Sequence, residues 1–263
     1  MTPSRALLVA LLLAMQGIAG CAIGPARETG FLDRSVSIDG SAHRYQVYVP
    51  ATYRADVAWP VILFLHGSGE SGTDGLLPTE IGIATALRRH PERYPAIVVF
   101  PQTPSSTSGN AVTARIALAA LDKTLGEFNT DAKRVYLTGL SMGGSGAWYI
   151  AYRHPERFAA LAPVCGWVAK IDGESASIVA PGESPYEALA RRLGRLPVWI
   201  YHGGSDTVVP VDESRKAFAA LKAAGGDARY TEIAGGNHNA WDAAYQGEDL
   251  PAWLFKQSLR KPE

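Results

Sequence analysis

Apolar residues fall along this chain in two kinds of stretch, short unbroken runs and longer segments at helical spacing, and the two kinds alternate. Val61-Ile62-Leu63-Phe64-Leu65 and Ile97-Val98-Val99-Phe100 are unbroken. Side chains on a strand point alternately to opposite faces, so a run with no polar position predicts a parallel strand covered by helices on both sides. Upstream, Val36-Ser37-Ile38, the turn pair Asp39-Gly40 and alternating Tyr45, Val47 and Val49 predict a hairpin of two half-exposed strands, closed by Pro50. Residues 111–128 place Val112, Ile116, Leu118, Leu121, Leu125 and Phe128 mainly at helical spacing, and residues 129–133 break the pattern before Val135-Tyr136-Leu137. The alternation continues with a helix over 144–153, a strand over 159–164, a helix over 185–193, the strand Val198-Trp199-Ile200-Tyr201, a helix over 212–224 and a strand over 228–233. Strands alternating with helices predict an α/β fold: a doubly wound, mostly parallel sheet carrying an antiparallel N-terminal hairpin.

The N-terminus obeys a different rule. Arg5 gives a short positive start, residues 6–15 are apolar without a break, and Ile18-Ala19-Gly20 lead into Cys21. The apolar run is too short to cross a bilayer, and small residues precede the expected cut, so it reads as an export signal. Its end resembles the lipobox of bacterial lipoproteins, which implies that Cys21 becomes the acylated first residue. The expected organisation is a lipoprotein signal peptide over 1–20, a lipidated tether over 21–33 with Gly24, Pro25 and Gly30, and a catalytic domain over 34–263. Ala22 rather than Asp follows the cysteine, which resembles lipoproteins that proceed to the outer membrane. The implied location is the cell envelope, with the bilayer as a partner through Cys21.

Length and charge narrow the function classes. The chain of 263 residues suits one large domain, and 25 basic residues balance 25 acidic ones. No basic excess exists to draw the chain onto nucleic acid. With Cys21 acylated, Cys165 is the remaining cysteine, which excludes a disulfide framework; between Val164 and Gly166 it reads as a small buried hydrophobe. No paired Cys or His has zinc-ligand spacing, and no glycine-rich phosphate loop carries its lysine, so no metal or cofactor is expected and side chains must do the chemistry.

Gly139-Leu140-Ser141-Met142-Gly143 stands directly after an expected strand and directly before an expected helix. A nucleophile at so sharp a turn needs small residues two positions to either side, because a Cβ there would strike the neighbouring backbone. The helix N-terminus also favours negative charge developing at the reacting oxygen. A serine hydroxyl is a weak nucleophile and needs a base, which needs an orienting acid. Of six histidines, His43 lies in the hairpin, His66 and His202 end strands, and His90 and His154 precede prolines. His238 sits in the polar turn 235–239 after the last expected strand, where a base can reach the sheet edge. Asp206 follows Tyr201-His202-Gly203-Gly204-Ser205 just past a buried strand and is the expected acid; Asp212 and Asp242 begin helices, where N-capping accounts for them. The order serine, aspartate, histidine fits an α/β-hydrolase. The oxyanion donors are expected to be the N–H groups of Met142 and of Ser68, with Gly67 or Gly69 as alternatives to Ser68, and His66 is expected to brace that loop.

Leu65-His66-Gly67-Ser68-Gly69-Glu70 with Gly72-Thr73-Asp74, and Leu140 through Trp148, resemble the α/β-hydrolase group loosely called predicted peptidases. That group is similar to feruloyl and acetyl esterases, polyhydroxybutyrate depolymerases and the carboxylesterase/thioesterase family. Further matching segments are 155–160 running to 162–166, His202-Gly203 before Asp206, and His238-Asn239-Ala240-Trp241, with Tyr245 and Trp253. The resemblance spans about residues 35–258 and implies a serine hydrolase acting on carboxylic esters, small or polymer-borne, through an acyl-enzyme. Two readings compete with it: peptide hydrolysis of the prolyl-oligopeptidase type with the same three residues, and a non-catalytic surface lipoprotein. Most of the tryptophans (Trp148, Trp199, Trp241, Trp253) are expected in the core, whereas Trp167, just past the 159–164 strand, is a candidate for the substrate pocket, with the insert 168–185 as its rim. Glu70 and Asp74 read as solvated turn residues.

Overall fold

The computed structural model describes residues 28–107, 109–169 and 184–259. Cys21 and most of the insert after Trp167 lie outside the described residues. Eight strands form one sheet: β1 (Gly30–Ile38), β2 (Ser41–Val49), β3 (Trp59–Leu65), β4 (Ile97–Pro101), β5 (Thr130–Leu140), β6 (Ala160–Val164), β7 (Val198–Gly203) and β8 (Ala228–Ile233). Their order across the sheet is β1-β2-β4-β3-β5-β6-β7-β8. The first two pairings, β1 with β2 and β2 with β4, are antiparallel, and the pairings from β4 onward are parallel.

The unbroken apolar runs divide between two cores as strand periodicity requires. Val61, Leu63 and Leu65 of β3 and Ile97 and Val99 of β4 join one cluster; Ile62, Phe64, Val98 and Phe100 join the other. The first face is covered by α2 (Gly109–Glu127), α3 (Met142–Arg153), α4 (Pro185–Leu193) and α5 (Asp212–Ala223), and the second by α1 (Ile83–Arg89), α6 (Trp241–Gln246) and α7 (Asp249–Leu254).

Two expectations about elements change, and short helices appear that were not expected. The hairpin is present, with Ile38 paired to Ser41 around Asp39-Gly40, but β2 is not half-exposed: residues 45–49 are all buried, because β4 pairs on its far side and makes it an interior strand. β1 begins at Gly30 and so takes the last residues of the expected tether into the sheet. Short α1 and α7 gave no periodic signal, since six or seven residues hold fewer than two full turns of pattern. Their core contacts, through Ile83 and Leu87, and through Leu250, Trp253 and Leu254, come from position rather than from repeat.

Candidate active site

β5 delivers Ser141 to the sheet edge and α3 begins at the next residue. Ser141 has φ 53° and ψ −120°, a conformation that side chains other than glycine rarely adopt. The neighbours explain how so sharp a turn fits. A Cβ on Gly139 would lie 2.4 Å from the Gly143 carbonyl oxygen, and one on Gly143 would lie 2.2 Å from that of Leu65. The spacing read from sequence as a steric requirement is met by backbone on both sides. The Ser141 N–H is held by the Val164 carbonyl at 2.9 Å, which ties the turn to β6.

The three residues expected to act together are joined by hydrogen bonds. His238 Nε2 lies 2.9 Å from Ser141 Oγ, and His238 Nδ1 lies 2.7 Å from Asp206 Oδ2. The Asp206 carboxylate offers only acceptors, so Nδ1 carries the proton and Nε2 presents its lone pair to the serine hydroxyl. Asp206 has no exposed side-chain surface. Its other oxygen, Oδ1, accepts the N–H groups of Val208 at 2.8 Å and Val209 at 2.9 Å. Burial alone would raise its pKa; the His238 ring N–H and the two backbone N–H groups outweigh that and hold the carboxyl below its ordinary value. Asp212 and Asp242, the alternatives, face outward: Asp212 pairs with Arg215 and Asp242 accepts the Asn239 amide. Neither caps its helix as expected, since each is the first helical residue after Val211 or Ala240 and no side-chain capping bond forms.

The loop after β3 runs beside the serine. A Cβ on Gly67 would sit 3.7 Å from Ser141 Cβ. Ser68 opens the 3₁₀ turn Ser68–Glu70, and Met142 opens α3, so neither N–H has an acceptor within its own helix. His66 braces this loop as expected: its Nδ1–H donates to the Gly67 carbonyl at 2.6 Å and its Nε2 accepts the Thr103 N–H at 2.9 Å. Burial pushes its pKa down to about 4, so the ring is neutral at ordinary pH. Gln102, unnoticed in the sequence, ties the rest of the loop together by donating to the Glu70 carbonyl and accepting the Gly75 N–H. Asp74 is more than a solvated residue, since its carboxylate accepts the N–H groups of Leu76 and Leu77. Glu70 is half-buried, and burial raises its pKa.

Trp167 is 5% exposed and packs with Met142 and Val209, one residue from Ser141 and three from Asp206. So little exposure leaves no open ring face for stacking. The backbone just beyond it is pinned by Glu213 of α5, whose carboxylate accepts the N–H groups of Val168 and Ala169 and the hydroxyl of Tyr186. Trp241 packs against the second core as expected, and it also lies edge-to-face against His238, with ring centroids 5.4 Å apart and planes at 87°. The signal for it was present, since it stands three positions after His238 at a helix start. Trp148 is core, and Trp199 and Trp253 pack against each other.

Cys165 is fully buried, as expected, and burial pushes its thiol up to about 12. Its sulfur nevertheless lies within 4.8 Å of ligand atoms of Asp206 and His238. Among the described residues this is the one group of three potential metal ligands, and it suits a metal badly. Its carboxylate and imidazole already bond to each other, and the thiol holds its proton.

A family model for Esterase ("Putative esterase") matches residues 35–253, nearly the whole described fold. The chain belongs to the esterase family. Feruloyl esterase B of Neurospora crassa is 30% identical over 211 residues, covering 68% of this chain and 68% of that protein. A solved structure described as a thermostable esterase is 31% identical, with a TM-score of 0.71, covering 87% of this chain and 63% of that one. An uncharacterized secreted protein of Arthroderma benhamiae is 25% identical over 229 residues, which span 77% of this chain but 23% of the relative. This esterase-family chain therefore corresponds to only part of some of its relatives, and the shared part is the α/β-hydrolase domain.

Proposed function

We propose that this protein hydrolyses carboxylic esters through an acyl-enzyme formed on Ser141. The observation that carries the reading is the unbroken chain of hydrogen bonds from Ser141 Oγ through His238 to Asp206, set on a strained strand-to-helix turn. His238 Nε2 takes the hydroxyl proton as Oγ attacks the ester carbonyl, and Asp206 stabilises the imidazolium that forms. The N–H groups of Met142 and Ser68 receive the oxyanion. Collapse of the tetrahedral species expels the alcohol, which takes the proton from His238. Water then enters by the same route in reverse and releases the acid, returning Ser141 to its starting state. Trp241 and Trp167 wall the space beside the imidazole and the Met142 donor, and the relative named feruloyl esterase supports an ester of a carboxylic acid with a small or polymer-borne alcohol. A panel of acetyl, butyryl and feruloyl esters with matched anilides tests this. Turnover of at least one ester with the anilides left intact is expected; anilide turnover at comparable kcat/KM would instead make the protein a peptidase.

The chain is exported and held to the envelope through an acylated Cys21. Support comes from the apolar run over 6–15 and the Ile18-Ala19-Gly20-Cys21 ending. Among the described residues no helix is long and apolar enough to cross a membrane. Buried acyl chains at about 0.8 kcal/mol per methylene would hold the protein far more firmly than a near-neutral surface could. Growth with a fatty acid analogue should label the wild-type chain and leave Cys21→Ala unlabelled; label on the Cys21→Ala chain would remove the anchor from the reading.

A further inference from the structure

His202 ends β7, is fully buried, and has no direct part in the proton transfers set out above. Its Nε2 lies 3.1 Å from Asp206 Oδ2 and 3.1 Å from the Val209 carbonyl oxygen, while its Nδ1 lies 2.7 Å from the Ser214 hydroxyl. Both neighbours of Nε2 are acceptors, so Nε2 carries the proton: it donates to the Val209 carbonyl, with Asp206 Oδ2 beside it at the same distance. Nδ1 is then a bare lone pair and accepts the Ser214 O–H. Burial lowers the pKa of the ring against the pull of Val209 and Asp206, which keeps it neutral. The ionisable groups facing it are Asp206 on the loop it leads into, His238 on the loop after β8, and Glu232 of β8, whose charge is met by Arg215 of α5.

Asp206 Oδ1 is fixed by two backbone N–H groups. Without His202, Oδ2 would be held by His238 alone, a side chain that itself depends on that oxygen for its orientation. An imidazole clamped by Ser214 and Val209 removes this circularity. We propose that His202 is a positioning residue of the triad, whose Nε2–H holds Oδ2 of Asp206 in line with His238 and draws charge from it. The inference rests on the reading of Ser141, His238 and Asp206 as an acyl-transfer site.

The test compares His202→Met, which keeps volume and loses the donor, with His202→Gln, whose amide N–H can reach the same oxygen. In His202→Met, kcat should fall about tenfold or more with KM within about twofold, because geometry and not binding is disturbed. The acid limb of its kcat/KM profile should move to higher pH, since a carboxylate with one donor fewer attracts the imidazolium more strongly. His202→Gln should recover most of both. Ser214→Ala, which removes only the hydroxyl that sets the tautomer, should shift both readouts in the same direction by less, and it serves if His202→Met does not fold. A His202→Met enzyme with wild-type kcat and acid limb would overturn the proposal. So would parallel losses of activity and melting temperature in the Met and Gln variants, which would mark a packing role.

Imidazole ¹⁵N spectra of the purified mature protein in detergent separate this inference from the function it rests on. An Nδ1–H tautomer at His202 in an active esterase sinks the positioning role alone. An inactive wild-type chain sinks the ester reading, and the proposal then stands or falls on whether the His238 Nδ1–H signal moves in His202→Met.

Discussion

Ser141→Ala is expected to abolish labelling by a fluorophosphonate and to lower ester turnover on the order of a thousandfold or more, with the melting temperature nearly unchanged. The reason lies in what the substitution removes and what it leaves. Only Oγ is lost, together with its 2.9 Å contact to His238 Nε2, while the alanine Cβ remains in the same strained backbone, φ 53° and ψ −120°. Ser141→Gly separates the two effects, because glycine accepts that conformation freely. It should be equally inactive and more stable, by about 1 kcal/mol or more. Covalent labelling of either variant would show that the nucleophile is elsewhere. A glycine variant no more stable than the alanine one would show that the turn stores no strain.

Asp206→Asn should fold normally and lose turnover on the order of ten-thousandfold. The structure fixes how the amide would lie. Val208 and Val209 donate N–H groups to the position of Oδ1, so the amide oxygen must stay there and the NH₂ must take the place of Oδ2. A donor now faces His238 Nδ1, which must become an acceptor, and the ring proton moves to Nε2; the same NH₂ also meets the His202 Nε2–H, which is left to the Val209 carbonyl alone. The His238 imidazole then meets Ser141 with an N–H instead of a lone pair. Asp212→Asn and Asp242→Asn serve as controls. Each touches one exposed partner, Arg215 or Asn239, and either change should cost less than about 1 kcal/mol and leave kcat intact. Paired kcat and melting measurements decide it: an active Asp206→Asn enzyme would reassign the acid.

Elements with long periodic signals and residues with local chemistry were legible from the chain alone. β8 and α4 fall on the residues that alternation and helical spacing assigned to them, and Ser141 stands where the flanking glycines required a turn. Such features are legible because they depend on neighbours a few positions apart. Asp206 and His238 were legible for a related reason: each follows a strand of the parallel part of the sheet, and parallel strands in one sheet bring their carboxyl ends to a common edge.

Contacts between segments whose spacing along the chain carries no pattern emerge only on folding. β2 became an interior strand because β4 pairs with it from 50 residues away, and nothing in its own alternation shows that second partner. Gly203 permits the site to close, since a Cβ there would lie 2.0 Å from the Asn237 carbonyl oxygen, yet in sequence it is one glycine of a pair. His202 looked like the end of a strand, and Trp241 like core. Their places beside Asp206 and His238 follow from the parallel registers of β7 and β8, which carry the two loops to within hydrogen-bonding distance. Distance along the chain does not encode that approach; the packing of a sheet between two cores does.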